Sequence, residues 1–148
     1  MKDRDSVRSK DPRGIDASRG VWFGRRYRLP RAVAAAIENV FEEPVDRVIV
    51  IEHSRYAKFH RGMTATTRPN RIFLAISGPE FSADPQLLLH EYYHVLCQWR
   101  PGYLTRWRYM AESIRCGYLA NRYEQEAREF AAGAVERYVE ILGQQHEA

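Results

Sequence analysis

The sequence predicts an α+β domain, with a sheet built in the first half and helices filling the second. Two observations carry this. Residues 45–52 (VDRVIVIE) and 71–77 (RIFLAIS) are dense in β-branched and aliphatic side chains and read as strands. Everything after Ser82 carries helical spacing and helix punctuation. The 148 residues suffice for one domain with a sizeable core, and 45% hydrophobic with 28% charged residues is an ordinary globular balance. The longest aliphatic run, residues 32–37, is far short of the ~20 residues of a membrane-spanning helix. The first residues lack the apolar stretch of a secretory signal. Two cysteines, Cys97 and Cys116, do not make a disulfide scaffold. The default expectation is a reduced, cytoplasmic protein with no membrane partner.

Residues 1–20 are polar, with only Val7, Ile15 and Ala17 as apolar side chains, and read as a flexible arm. The net charge of +4 is uneven. Residues 1–31 hold ten Lys/Arg against four Asp, whereas residues 32–148 hold thirteen basic against fifteen acidic. The basicity therefore belongs to the arm and not to the body. Val21-Trp22-Phe23 is the first apolar cluster and is expected to dock on the domain, which spans residues 21–148.

Leu29-Pro30 opens a helix with Pro in its first turn. Val33, Ile37, Val40 and Phe41 pack one face of it, and Glu43-Pro44 ends it. The strand over 45–52 follows. Residues 53–70 are polar with Gly62 and a TATT stretch, and predict a loop or short hairpin. In the strand over 71–77, Ile72, Leu74 and Ile76 alternate onto one buried face, and Ser77-Gly78-Pro79 breaks it. Asp84-Pro85 supplies an N-cap and a first-turn Pro for a helix reaching about Gln98. A second helix spans roughly 104–117, with Leu104, Trp107, Met110 and Ile114 on one face. A third spans roughly 121–142, with Gly143 as its stop. There is no internal repeat.

The chemistry is concentrated in Leu87-Leu88-Leu89-His90-Glu91-Tyr92-Tyr93-His94-Val95-Leu96. This contains H-E-x-x-H inside a stretch that independently reads as helix. Positions i and i+4 share a helix face, so His90 and His94 can converge on one Zn²⁺. Glu91 lies to the side of that face, where a carboxylate can hold a water on the metal and take its proton. Two imidazoles and a carboxylate among five aliphatic residues are costly without a partner that satisfies them, and a metal ion is such a partner. A third protein ligand is expected. Cys97 reads as a small core residue, and no third His follows closely.

The candidates for that ligand lie in the last helix. Its apolar face is set by Ala127, Phe130, Ala131, Ala134, Val135, Tyr138, Ile141 and Leu142. At about 100° per residue, Glu124 falls roughly 50° from the centre of that face, Glu126 roughly 110° and Glu129 roughly 170°. Glu124 is therefore placed to reach inward, with Glu126 as the alternative. Tyr109, Tyr118 and Tyr123 are available as hydrogen-bond donors to a tetrahedral oxyanion. His53, His60 and His146 carry no marking spacing and read as surface or loop residues.

H-E-x-x-H (His90, Glu91, His94) followed by E-x-x-A (Glu124 to Ala127) resembles the gluzincin pattern of zinc metallopeptidases. Many relatives carry Asp or Asn after that Ala, where this chain has Arg128. Further similarity lies in Val48 to Glu52, in Ala65-Thr66-Thr67 before Asn70-Arg71-Ile72-Phe73-Leu74, and in Leu87 through Val95 with Gln98. Residues 29–99 resemble the metallopeptidase-like core domain of extracellular contractile injection system cargo proteins of bacteria. The helical end is similar to the compact protease domain of mobile-element anti-repressors. The resemblance implies a minimal zincin fold, a small sheet packed on an active-site helix and a glutamate helix. It implies one Zn²⁺ held by His90, His94 and Glu124, with Glu91 as general base. It also allows export by a specialised secretion system. In zincins an edge strand beside the active-site helix takes up peptide by strand addition, a role the resemblance suggests for residues 71–77 unless that strand is interior.

The leading expectation is thus a zinc-dependent peptidase acting on a peptide or protein. The alternatives are a non-catalytic zinc-containing interaction module, and a nucleic-acid binder acting through the basic arm. No recognised nucleic-acid motif accompanies that arm.

Overall fold

A computed structural model of the chain describes residues 24–59 and 63–147. The arm over 1–20, the docking of Val21, Trp22 and Phe23, His60, Gly62 and the side chain of His146 lie outside the described residues. The strands are β1 (Arg25–Tyr27), β2 (Ile49–Glu52), β3 (Ala65–Arg68) and β4 (Arg71–Leu74). The helices are α1 (Arg31–Phe41), α2 (Arg55–Phe59), α3 (Gly78–Ala83), α4 (Pro85–Tyr93), α5 (Arg106–Cys116) and α6 (Arg122–Glu147). The expected α+β class holds. No described helix is long and apolar enough to cross a membrane.

The strands form one sheet in the order β1-β2-β4-β3, with β2 and β4 parallel and the outer pairs antiparallel. Val50, Ile72 and Leu74 from the sheet share a single core with Ile37 and Val40 of α1, Leu88, Leu89 and Tyr92 of α4, and Ala131 and Tyr138 of α6. Helix α4 packs mainly on α6, and α6 also packs on α1. The expected burial of Ile72 and Leu74 holds, but Phe73 on the opposite face is buried as well. The reason is that Tyr56 of α2 covers that face, its ring centre 4.9 Å from that of Phe73; β4 is also an interior strand, paired along both edges and not an edge strand. The sheet edge beside α4 is β3. It is joined to β4 by a tight Pro69-Asn70 turn in which Asn70 takes φ +56°. Pro is favoured in the first corner of such turns, and Asn tolerates the positive φ of the second.

Several boundaries differ from the sequence expectation. Pro30 is the N-cap of α1 and not its first residue. The strand over 45–52 starts only at Ile49, because residues 45–48 close a turn through Val48 N–H to the Val45 carbonyl, 2.9 Å. Residues 53–70 hold α2 and β3. The strand expected over 71–77 stops at Leu74, short of Ile76, and Ser77-Gly78-Pro79 starts α3 instead of breaking a strand. Ser77 accepts from the Glu80 N–H, and Glu80 accepts from the Ser77 N–H at 2.9 Å, a reciprocal capping box. Helix α6 runs past Gly143 to Glu147. A glycine stops a helix only where the chain turns left-handed, and the residues after Gly143 are tolerable helix formers.

The larger correction concerns α5. Leu104, before the helix, is buried, but Trp107, Met110 and Ile114 are exposed, at 79%, 52% and 81%. The inward side of α5 carries the half-buried Tyr109, Ser113 and Cys116 instead. The spacing found an amphipathic helix whose apolar face looks outward. Both cysteines are free thiols.

Short β1 is held to α3 by Glu52 and Gly78. The Glu52 carboxylate is buried and accepts from the Gly78 N–H at 2.7 Å and from Arg25 Nε at 2.7 Å. The Tyr27 ring packs against Gly78, where a Cβ would stand 2.0 Å from ring atom Cδ2. The Gly78 hydrogen bond, with help from Arg25, outweighs the opposing effect of burial and holds the Glu52 carboxyl below the usual range. A carboxylate with a depressed folded pKa stabilises the protein above its unfolded pKa and loses that contribution as pH falls through the folded one. Glu52→Gln is therefore expected to melt roughly 4 °C below wild type at pH 7. Melting curves of both proteins from neutral pH down to acid should show that difference shrinking below about pH 4. A pH-independent difference would mean the charge of Glu52 is not what matters.

Candidate metal centre

Helix α4 begins where the sequence says it should. Asp84 accepts from the Leu87 N–H at 3.0 Å and Pro85 fills the first turn. Leu88, Leu89 and Tyr92 sink one face into the core, which leaves His90 and His94 one turn apart beside α6. Beyond Tyr93 the helix widens into a π-helical segment, His94–Trp99. It closes with an i→i−5 bond from the Arg100 N–H to the Val95 carbonyl, 3.0 Å. Helix α6 is started by buried Asn121, whose side-chain oxygen accepts from the Tyr123 N–H at 2.9 Å. The amide of Asn121 donates to Ser113 Oγ of α5 at 2.9 Å. Glu124 thus stands in the first turn of α6, where the helix dipole favours a carboxylate.

Three donor atoms converge. His90 Nε2 is 3.1 Å from His94 Nε2 and 3.1 Å from Glu124 Oε2, and His94 Nε2 is 3.4 Å from the same oxygen. Two donors each about 2.0–2.1 Å from one tetrahedral Zn²⁺ stand about 3.3 Å apart, so the triangle has the dimensions of a metal site. The residues present fit the group. Among the described residues this is the one cluster of three such side chains within metal-binding distance.

Charge points to the same spot. Burial works against a charged His94 ring, but the Glu124 and Glu91 carboxylates and Gln98 outweigh it and raise its pKa. Burial likewise opposes ionised Glu124, yet its hydrogen bonds to His90 and His94 hold its carboxyl well below the usual range. The cluster attracts positive charge to the point between its three atoms.

The groups around it take roles not expected from the sequence: Gln98 holds His94, and Tyr109 and Tyr118, expected as oxyanion donors, are bonded to Glu124. Gln98 Nε2 donates to the Tyr123 carbonyl at 2.9 Å and to Glu126 Oε2 at 3.1 Å. Both are acceptors only, so the Gln98 oxygen faces His94 Nδ1, 2.7 Å away. Nδ1 must then carry the proton, which leaves the Nε2 lone pair free for a cation. The signal was available: Gln98 follows His94 by the same four residues that separate the two histidines. Glu126, weighed as the alternative ligand, is exposed and engaged with Gln98, and Glu129 is exposed. Of the tyrosines, Tyr109 donates to Glu124 Oε1 at 2.9 Å and Tyr118 to Glu124 Oε2 at 3.3 Å. Burial and the Glu124 charge raise the pKa of both hydroxyls, which keeps them donors. Tyr123 is buried, with its hydroxyl 3.4 Å from the Tyr103 carbonyl.

Glu91 is buried and makes no hydrogen bond among the described residues; His90 Nε2 lies 4.0 Å from its Oε1. Desolvation raises its pKa against the pull of the two histidines. It opens into a cleft of about 490 Å³. The cleft runs between β3, the π-helical segment and α5, with Met63, Trp99, Leu104 and Met110 among its walls. Trp99 Nε1 donates to Thr67 Oγ1 at 3.1 Å, pinning the edge strand to the helix.

No protein-family model, curated protein or solved structure matches the chain. Gln98→Leu is expected to weaken metal binding by about 10–100-fold, the usual cost of losing a partner that orients a metal-binding imidazole. Titration of the apoprotein against a competing chelator measures it. Unchanged affinity would mean that His94 needs no orientation from Gln98.

Proposed function

We propose that this chain is a zinc-dependent peptidase in which His90, His94 and Glu124 hold the metal and Glu91 is the general base. The observation that carries the reading is the pairing of a metal-sized donor triangle with a separate buried carboxylate, Glu91, that is bonded to none of its members. Zn²⁺ at such a site supplies a Lewis acid and lowers the pKa of a coordinated water to about 7. Two His and a carboxylate also suit ferrous iron. The unspent carboxylate beside them is what hydrolysis calls for, and it favours zinc.

Each residue then has a task. Glu91 accepts the proton of the attacking water and returns it to the leaving amine. A carboxyl whose pKa burial has raised is suited to hold a proton between those two events. Tyr109 and Tyr118 fix the plane of the Glu124 carboxylate, and Gln98 fixes His94. The outer edge of β3, unpaired by any other strand among the described residues, lies along the cleft and offers an extended peptide a strand to pair with, the role first expected of residues 71–77.

Protein purified without chelator, or reconstituted and dialysed, is expected to hold one zinc per chain by elemental analysis. Glu91→Gln should keep that zinc and lose peptide cleavage by on the order of 10²-fold or more. Cleavage of a broad peptide mixture is followed by mass spectrometry. A mutant cutting at the wild-type rate sinks Glu91 as base, and protein that takes up no zinc sinks the site. Zinc at the site with no cleavage by wild type leaves the non-catalytic zinc module.

A further inference from the structure

The cleft has a charge asymmetry that the metal site does not use. Its acids are Glu91 and Glu124, both committed to the reacting centre, whereas its cations are Arg68 and Arg106. Neither arginine forms an ion pair among the described residues. Arg106 is exposed on the first turn of α5, where the helix dipole disfavours a cation. Arg68 is half-buried and held in place. Its guanidinium donates to the Thr67 carbonyl at 2.7 Å and to the Tyr56 hydroxyl, and lies 5.3 Å from the Tyr56 ring centre.

The register of the edge strand says what that position faces. Thr64 O accepts from the Ala75 N–H, so Thr66 and Arg68 turn their backbone groups toward β4. The backbone groups of Ala65 and Thr67 then face outward, along the free edge. Arg68 lays its guanidinium over the last outward carbonyl, that of Thr67, in the place where the N–H of an added strand would go. An extended peptide paired with β3 runs out of edge there and meets a fixed guanidinium. Two of its five N–H groups are committed to Thr67 and Tyr56, leaving three to donate.

We propose that the Arg68 end of the cleft is a carboxylate-binding subsite, so that this site takes peptides with an acidic group beside a large apolar residue. The carboxylate belongs to an Asp or Glu side chain or to the peptide's own C-terminus; both offer two oxygens to a planar fork. The apolar residue is received by Met63, Trp99, Leu104 and Met110. Arg106 adds charge at the rim. The proposal deepens the peptidase reading and names its substrate class.

The test separates the two. Full-length, zinc-loaded Glu91→Gln protein is immobilised and offered a randomised octapeptide pool, once with free C-termini and once amidated. Retained peptides are expected to be enriched in carboxylates next to Phe, Leu, Met or Tyr. Enrichment in Asp and Glu in both pools assigns the side chain; retention from the free-acid pool alone assigns the C-terminus. Adding Arg68→Gln should weaken retention about tenfold, and Arg68→Lys should restore part of it. Arg106→Gln, at an exposed position, should weaken it less, a second reading of the cleft's positive charge that does not depend on the Arg68 variants folding. Retention that is indifferent to carboxylates, absent, or unchanged by Arg68→Gln in a protein of wild-type melting temperature overturns the subsite. Retained peptides that the wild-type protein does not cut overturn the peptidase reading and leave the subsite standing.

Discussion

A carboxylate that is 3% exposed cannot stay ionised in a protein core without positive charge beside it, and Glu124 imposes that demand on three helices at once. Helix α4 answers with two imidazoles, α5 with the hydroxyl of Tyr109, and α6 with the dipole of its own first turn. Asn121 then locks α5 to the start of α6. The packing of α4 on α6 is thus organised around a polar point as much as around Leu88, Leu89 and Ala131. A cation held between those groups would join the sequence-distant ends of the helical half, and its binding free energy would then be folding free energy.

Legibility in the sequence followed distance along the chain. The α4 helix, its Asp84 cap and the His90–His94 pair are local facts, and they were readable. Glu124 was readable because helix geometry is regular enough to say which of three nearby glutamates turns inward. The Ser77–Glu80 capping box is equally local, though Ser77-Gly78-Pro79 taken alone reads as a strand break. What could not be read was partnership across the fold. Nothing in residues 71–77 says that another strand will cover their outer edge. Nothing in α5 says which of its two faces meets the body. Trp107 and Ile114 are large and regularly spaced, yet they face solvent, and the inner side of that helix serves Glu124 and the cleft with Tyr109 and Ser113, Met110 standing at the cleft's border.

The sheet contributes placement more than chemistry. Parallel pairing of β2 with β4 puts the β3–β4 hairpin on the side of the helix pair, and Trp99 ties the hairpin down through Thr67. The opposite border is sealed differently, by the Glu52 contacts with Arg25 and Gly78 and by Tyr27 over α3. One border of the sheet is thereby fastened to the body, and the other lines the cleft beside the buried carboxylates.

The widened turn from His94 to Trp99 gives one continuous helix two rotational phases. Up to its first residue, the phase is dictated by what His90 and His94 must face. At its last two residues, it is dictated by Gln98 reaching the start of α6 and by Trp99 reaching β3. A uniform α-helix has a single phase and would have to compromise between those two sets of directions. The extra residue in the turn acts as a fixed gear offset, so changes that re-aim the cleft wall at Trp99 need not rotate the donor atoms upstream.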